Sequence, residues 1–294
     1  MRMKTNQSKN NIQNPLPQGG NIIKRYLTRD AKSPAHAEYL KRERIQQLWV
    51  RFTQVALLIF LLALWEILTH YRILDPLLFS QPSKIWSMFI SMLLKGELHN
   101  HIIATVLETI VGFILGTVSG TLIAIVIWWF PFLSRVLDPY LVVLNGMPKV
   151  ALGPMFIVAF GGGYGGIIAM AIAISIIITT IVVYGSFREV DKNLIKLAKT
   201  FGANKRQIFQ KIILPASFPT IVSTLKVNVG LAWVGVIVGE FLVSKQGLGY
   251  LIIYGFQVFN LTLVFVSLFI VAICASVMYQ GVAILENRIL RNRG

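Results

Sequence analysis

Long apolar segments separated by short polar ones make up most of the chain after residue 51. Six of them approach or exceed the length of a membrane-spanning helix: residues 52–68, 102–130, 140–160, 167–187, 218–243 and 261–285. Such a helix needs about 17–25 apolar residues, and backbone exposed to lipid must satisfy its hydrogen bonds internally. The pattern therefore predicts an all-α membrane protein, a polytopic helical bundle of about six transmembrane helices.

The third apolar segment is interrupted by two prolines and a lysine, Pro148, Lys149 and Pro154. A proline lacks the backbone donor of a helix and disfavours helical geometry in the residue before it. We therefore predict that this segment, more than the other five, is kinked or broken.

The composition agrees with a membrane protein. Of the 294 residues, 55% are hydrophobic and 14% are charged, with a mean hydropathy of +0.67, whereas soluble domains carry about 25% charged residues. The net charge of +16 comes mainly from lysines and arginines that flank the apolar segments. That placement is typical of membrane topology signals and disfavours a nucleic-acid-binding surface.

The same basic residues predict the orientation of the chain. With the N-terminus inside, 22 lysines and arginines lie on the inside and four lie outside. The positive-inside rule then places both termini in the cytoplasm. We divide the chain into a basic, partly disordered tail (1–51), a transmembrane domain (52–285, core 100–285) and a C-terminal tail (286–294). Residues 34–48 of the first tail are compatible with a basic amphipathic helix on anionic lipid.

A basic loop at 188–216, predicted to be cytoplasmic, contains a short amphipathic helix. Its apolar positions lie three or four residues apart and share one helical face: Leu194, Leu197, Ala198 and Phe201. Gly202 offers a helix stop, and Pro215 marks the start of the next element. The apolar face either rests on lipid or the bundle, or docks into a groove of a cytoplasmic partner.

The loop resembles that of the permeases of binding-protein-dependent ABC importers. Their loop carries Glu-Ala-Ala, three residues, Gly, nine residues, Ile, one residue and Leu-Pro. Five identities match this spacing without a gap: Ala198, Gly202, Ile212, Leu214 and Pro215. Lys196 replaces the usual Glu, and Leu197 replaces an Ala. From about Pro82 onward the chain is similar to the nitrate, sulfonate and taurine branch of this family.

The resemblance implies a type I ABC importer permease in a bacterial plasma membrane. Such a chain pairs with a second permease copy, here expected to be identical, and with a cytoplasmic ATP-binding subunit and an extracytoplasmic solute-binding protein. It moves a small solute by alternating access, and its partner binds ATP and Mg²⁺ and performs the hydrolysis. The chain itself is then not an enzyme and holds no cofactor, in line with the absence of a Gly-x-x-x-x-Gly-Lys-Ser/Thr loop in the sequence.

The resemblance also assigns residues to the coupling with the ATP-binding subunit. They are Leu194, Lys196, Leu197, Ala198, Phe201, Gly202, Ala203, Ile212, Leu214 and Pro215. Because Lys196 reverses the usual charge, we predict an acidic or neutral site on the partner there.

Polar residues within the apolar segments are candidates for the translocation path or for pairing between helices: Lys149, Lys226 and Asn228. Charges there are costly unless they face a cavity or a partner. A basic path would suit an anionic solute. Glu66 and Glu240 are expected near the membrane interface instead.

Glycines four residues apart indicate close helix packing, within one subunit or between subunits: Gly112, Gly116, Gly120, Gly235 and Gly239. His99 and His101 lack a third ligand nearby, so we predict loop residues and no metal site. A secondary transporter or channel without an ATPase remains the alternative function. Such proteins commonly carry paired repeats with broken helices, and only one broken segment is evident.

Overall fold

A computed structural model describes residues 34–291, which are helical between short connections. The chain divides into two units, one ending at Ile67 and the other beginning at Leu68. The remainder of the predicted tails, at 1–33 and 292–294, lies outside the described residues.

Helix α1 (Pro34–His70) supplies the described part of the first unit. It runs without interruption from basic residues into the apolar segment, and Glu38–His70 is long and apolar enough to span a membrane. Residues 34–48 are therefore the first part of this longer helix and not a separate surface helix. Residues 48–52 contain no glycine or proline that would interrupt the helix. The predicted boundary at residue 51 falls inside α1.

The first part of the second unit contains both short and long helices. They are α2 (Pro76–Phe79), α3 (Pro82–Leu94), α4 (Glu97–Trp129), α5 (Pro131–Gly146), α6 (Gly153–Phe160) and α7 (Tyr164–Glu189). Helices α2, α3 and α5 each begin at a proline, which suits the first helical position because the missing donor is unpaired there anyway.

The rest of the second unit contains the loop and the last spans. They are α8 (Lys192–Thr200), α9 (Lys205–Ile208), a π-helical turn (Phe209–Ile213), α10 (Leu214–Val243), α11 (Leu248–Gln257) and α12 (Leu261–Arg291). Helix α12 continues to Arg291, so the predicted C-terminal tail begins within it.

Among the described residues, five helices are long and apolar enough to span a membrane, and a bent pair makes a sixth. The pair is α5 and the segment Lys149–Phe160, whose axes differ by 96°. Met147, just before Pro148, is extended with φ −71° and ψ 141°, as expected for a residue preceding proline. The third predicted segment is thus broken where its prolines lie.

Helices α4, α7 and α10 pack together at the centre of the second unit. Glycines bring the backbones into close approach: a Cβ atom at Gly116 would lie 2.7 Å from Ser175 Cβ, and one at Gly120 would lie 2.6 Å from Thr179 Cβ. From the other side, Gly239 faces Ile167 of α7 in the same way. The glycine faces of α4 and α10 therefore both pack on α7, within one chain.

Candidate functional site

Helix α8 has a defined start and a defined end. The Asp191 carboxylate accepts a hydrogen bond from the Asn193 amide at 2.8 Å, an N-cap of the first turn. At the other end Gly202 has φ +76°, and the Ala203 amide donates to the Ala198 carbonyl at 3.0 Å. This is a Schellman ending, for which glycine is favoured because the left-handed conformation strains other residues.

The apolar residues of α8 divide between two surfaces. Ile195 and Ala198 pack against a buried cluster, which we name the loop-end core: Ala124, Ile127, Val183, Tyr184, Phe187, Val190, Ile208, Phe209 and Ile213. Leu194, Leu197 and Phe201 point away from it and are 49%, 54% and 83% exposed. We call these three residues the loop tip. The predicted four-residue face is thus split, with Ala198 on the inner side.

The segment after α8 anchors the loop to the bundle. Asn204 and Gln207 form a capping box, with bonds of 2.9 and 2.8 Å between each side chain and the other's amide. The Lys205 ammonium donates to the Trp129 carbonyl and lies over the indole rings at the end of α4. Phe209 packs against Trp128, with ring centroids 4.9 Å apart. The loop tip is therefore presented by a firmly held base.

The other residues assigned to coupling divide into partly buried and exposed ones. Ala203, Ile212 and Leu214 are partly buried against the loop-end core. Lys196, Gly202 and Pro215 are exposed. Only part of the assigned set is available to a partner, and the rest supports it from inside.

Lys226 is joined to the last span. Its Nζ lies 2.8 Å from Glu286 Oε2, and the Ser223 hydroxyl donates to Glu286 Oε1 at 2.9 Å. Glu286 is 4% exposed, so its charge is compensated by α10 at a contact between α10 and α12 that excludes most solvent. The structure places Lys226 in an interhelical ion pair, one of the two roles that the sequence left open.

Asn228 is fully buried at the meeting point of the three central helices. Its Nδ2 donates to Thr117 Oγ1 of α4 at 2.8 Å and to Thr179 Oγ1 of α7 at 2.7 Å. A single amide on α10 thereby cross-links both neighbours beside the glycine contacts.

Lys149 lies at the break between α5 and α6. Its ammonium donates to the Asn145 carbonyl at 2.9 Å, and no carboxylate of residues 34–291 forms an ion pair with it. Asn145 lines a groove of about 480 Å³ between α5 and α7. At the opposite end of this groove, Arg188 pairs with Asp138 at 3.3 Å.

The end of the bundle away from the loop contains a buried polar cluster around Glu240. Its Oε1 accepts from the Thr105 hydroxyl at 2.6 Å, and its Oε2 accepts from the Gly249 amide at 2.5 Å. Thr105 in turn accepts from the Leu248 amide at 2.8 Å. The carboxylate caps the first turn of α11 and fastens it to α4 and α10.

His101 and Glu108 belong to the same end of α4. The Gly247 amide donates to His101 Nδ1 at 3.0 Å, so His101 is a helical contact residue and not the solvated loop residue expected from the sequence. Glu108 is 3% exposed and neighbours Glu240. Glu240 is 1% exposed and therefore lies inside the protein at this end of the bundle, three residues before α10 ends at Val243. The combination Gly239-Glu240 and Gly247-Leu248-Gly249 is the signal that points to this cluster.

Comparison with known proteins places this arrangement in context. Residues 112–291 match the family model described as "Binding-protein-dependent transport system inner membrane component". This range contains the loop, the glycine contacts and the polar cluster around Glu240, apart from its α4 members.

Curated relatives match over most of their length. The putative aliphatic sulfonates transport permease protein SsuC of Bacillus subtilis is 28% identical, over 79% of this chain and 84% of the relative. The formylaminopyrimidine transport permease protein ThiX of Halalkalibacterium halodurans is 28% identical, over 78% and 91%. The riboflavin transport system permease protein RibX of Chloroflexus aurantiacus is 29% identical, over 80% and 87%.

Solved structures show the same fold at lower identity. A chain of the MetNI methionine ABC transporter, in an inward-facing conformation, is 20% identical with a TM-score of 0.55, covering 66% of this chain and 95% of that chain. A bacterial ABC transporter involved in the import of alginate gives 16% identity and a TM-score of 0.57, covering 84% and 98%.

Proposed function

Because the chain belongs to the family of binding-protein-dependent transport system inner membrane components, and is an ABC importer permease, we propose how it works in its complex. Two copies form the solute path, the loop tip docks into a cytoplasmic ATP-binding subunit, and ATP and Mg²⁺ are bound there and not by this chain. An extracytoplasmic binding protein delivers the solute. Closure of the ATP-binding subunits then switches the paired permeases between two arrangements.

The loop tip is the observation that carries this proposal. Leu194, Leu197 and Phe201 expose three large apolar side chains in a polar loop, while Ile195 and Ala198 of the same helix pack against the loop-end core. Such a stripe at positions i, i+3 and i+7 is what a helix inserts into a groove of its partner. A fixed base with an uncovered tip is suited to transmit movement, because the force is not lost in a mobile loop.

The broken span supports a second copy of the chain at this face. Residues 142–148 are exposed around the break at Met147 and Pro148. Irregular backbone at membrane depth is tolerated only where it is covered by protein or lines a water-filled cavity. A second copy facing this break, with the solute path between the two, meets that requirement.

The proposed orientation places the loop and both termini in the cytoplasm. It is supported by the 22 to four distribution of basic residues. The three relatives are named for different solutes, so similarity does not choose among them.

Co-purification of ATP hydrolysis with the tagged chain from its native membrane tests the proposal. The double variant Leu197→Asp and Phe201→Asp should lose at least about tenfold of the co-purifying activity, since two charges in an apolar groove are costly. Lys192→Ala on the same helix is the matched control and should retain it. Undiminished activity in the double variant, or solute uptake by vesicles without any nucleotide, would contradict the proposal.

Lys196 gives a second test of the same contact. If the partner site is acidic or neutral, Lys196→Glu should weaken assembly or leave it unchanged in a pull-down. Stronger assembly would show that the partner site is basic.

A further inference from the structure

We propose that Glu108 and Glu240 form a proton-binding site where α4, α10 and α11 meet, and that Glu108 carries the proton. The pair then holds one negative charge and not two. The site lies at the end of the bundle away from the loop tip and does not depend on the coupling proposed for that loop.

Both carboxyl groups are shut off from solvent. Glu108 is 3% exposed and Glu240 is 1% exposed, and the two are neighbours across the contact between α4 and α10. No lysine or arginine of residues 34–291 forms an ion pair with either group. Two adjacent carboxylates without a counter-ion repel each other strongly in a buried site and do not both stay ionised. One proton is therefore bound by the pair.

The hydrogen bonds indicate which group is ionised. The Glu240 carboxylate accepts from the Thr105 hydroxyl at 2.6 Å and from the Gly249 amide at 2.5 Å. It lies at the first turn of α11, where the helix dipole favours a negative charge. Both oxygens of Glu108 are buried and have no hydrogen-bond partner among residues 34–291. A buried carboxylate without donors is far more costly than a neutral carboxyl group, so the proton lies on Glu108.

The helices around the pair supply no positive charge. His101 of α4 and Tyr250 of α11 are the ionisable residues beside it, and their rings stack with centroids 6.0 Å apart. The Gly247 amide donates to His101 Nδ1 at 3.0 Å, so that nitrogen holds no proton. Three further segments that pack around this end contain no ionisable residue: 153–160 of α6, 165–183 of α7 and 261–273 of α12. The charged residues on the connections and helix starts of this end are exposed: Lys95, Glu97 and Lys245.

A proton bound here stabilises the packed arrangement of this end of the bundle. Water that reached the pair would allow both groups to ionise, and their repulsion would act between α4 and α10. An arrangement that admits water thus releases the proton. By reciprocity, the bound proton favours the arrangement in which Glu240 fastens α11 to its neighbours.

Infrared spectroscopy of the purified full chain, in a detergent without ester groups, detects the proton directly. Exposed carboxyl groups titrate at about pH 4, so at about pH 7.5 they are ionised and do not show the carbonyl-stretching band of a protonated carboxyl group. The wild type should show this band at that pH. Glu108→Gln should lack it, and Glu97→Gln, at an exposed position of the same helix, should keep it.

Thermal unfolding gives a second readout, in which the variant is the more stable protein. Glutamine has the shape of a protonated glutamate but needs no proton. Folding of the wild type takes up one proton wherever the unfolded glutamate is ionised, above about pH 4.3. Between about pH 5 and pH 7, its folding constant should therefore fall about tenfold per pH unit relative to that of Glu108→Gln. The unfolding midpoint of Glu108→Gln should rise above that of the wild type over this range, and Glu97→Gln should follow the wild type.

Three results would overturn the proposal. The first is the absence of the infrared band from the wild type, which needs no variant. The second is a midpoint of Glu108→Gln below that of the wild type at pH 7, because an ionised Glu108 with a partner would then be lost. The third is a wild-type midpoint that sodium or potassium chloride raises above its value in choline chloride at equal ionic strength, which would assign a metal cation to the site. Neither measurement needs ATP or solute, so a failure here is distinct from a failure of the coupling test above.

Discussion

The ammonium group of Lys226 lies 2.8 Å from the carboxylate of Glu286, and this ion pair joins α10 to the last part of α12. Because Glu286 is buried, the ion pair explains why a lysine is tolerated within an apolar span. The two lysines within apolar segments therefore have different partners. Lys226 pairs with a carboxylate and joins two helices, whereas Lys149 donates to a backbone carbonyl.

The ion pair predicts a rescue. Lys226→Met alone should lower the thermal unfolding midpoint in detergent by several degrees, because it leaves a buried carboxylate without its counter-ion. Adding Glu286→Met should restore most of the loss. Uptake should follow the amount of folded protein; a stable double variant that no longer transports would instead place Lys226 on the solute path.

Gly112 and Gly235 both lie against Ala171. Replacing Ala171 by glycine should therefore have a different effect on an alanine introduced at each of these two positions. A Cβ at Gly112 would lie 2.5 Å from Ala171 Cβ, and one at Gly235 would lie 2.5 Å from Ala171 Cα. Each Gly→Ala change should destabilise the protein by roughly 1–3 kcal/mol. Ala171→Gly should rescue Gly112→Ala but not Gly235→Ala, because only the first clash involves a side chain.

Gly230 is the matched control for these variants. It lies on α10, and a Cβ there would meet no heavy atom within 4 Å. Gly230→Ala should leave the unfolding midpoint unchanged or raise it slightly, since alanine is the better helix former. A loss as large as that of Gly235→Ala would mean that helix flexibility, and not close packing, is the reason for these glycines.

Asn228 predicts a loss of stability without a loss of intrinsic transport. Replacement by leucine of similar size removes two hydrogen bonds between helices, which should cost about 1–2 kcal/mol within a membrane. Thr224→Val is the control, because its hydroxyl bonds only the Thr220 carbonyl of the same helix. Uptake per folded complex should be unchanged, and a large change in it would show that Asn228 contacts the solute.

The sequence was sufficient for the number and kind of the spans but not for their contacts. The thickness of the bilayer sets the length of each spanning helix independently of the others. The apolar runs and Pro148 therefore predicted five helices and a broken sixth. Asn228 could be placed in a span, but its threonine partners lie 111 and 49 residues away. Those pairs depend on which helical faces meet, and helices that are apolar on all sides do not indicate that.

The same reason explains the partial prediction of the loop. Helical periodicity placed Ala198 on the face of Leu194 and Leu197, since all three are apolar. Only the position of the loop-end core shows that Ala198 faces inward. The burial of Glu240 was not predicted, because a carboxylate near the end of an apolar run usually reaches water. Here the carboxylate instead accepts a hydrogen bond from the Gly249 amide.

The capping contact of Glu240 predicts local unfolding when it is lost. Glu240→Leu removes both acceptor oxygens, so the side chain at this position cannot accept from the Gly249 amide. Amide hydrogen exchange in the first turn of α11 should become about five- to tenfold faster, the effect of losing a helix cap. Glu97→Leu, at an exposed position of α4, should not change it. Equal exchange in both variants would contradict the cap.

The segment Lys205–Val243 passes the length and polarity test as one span of 39 residues. It begins beside the loop tip and carries Glu240 near its far end, so it extends about 58 Å from one side of the membrane to the other. A tilt of about 5° around its midpoint would displace the two ends by about 2.5 Å in opposite directions. Such a tilt would move the loop tip and the polar cluster around Glu240 in opposite directions at the same time, because both are attached to this one helical segment.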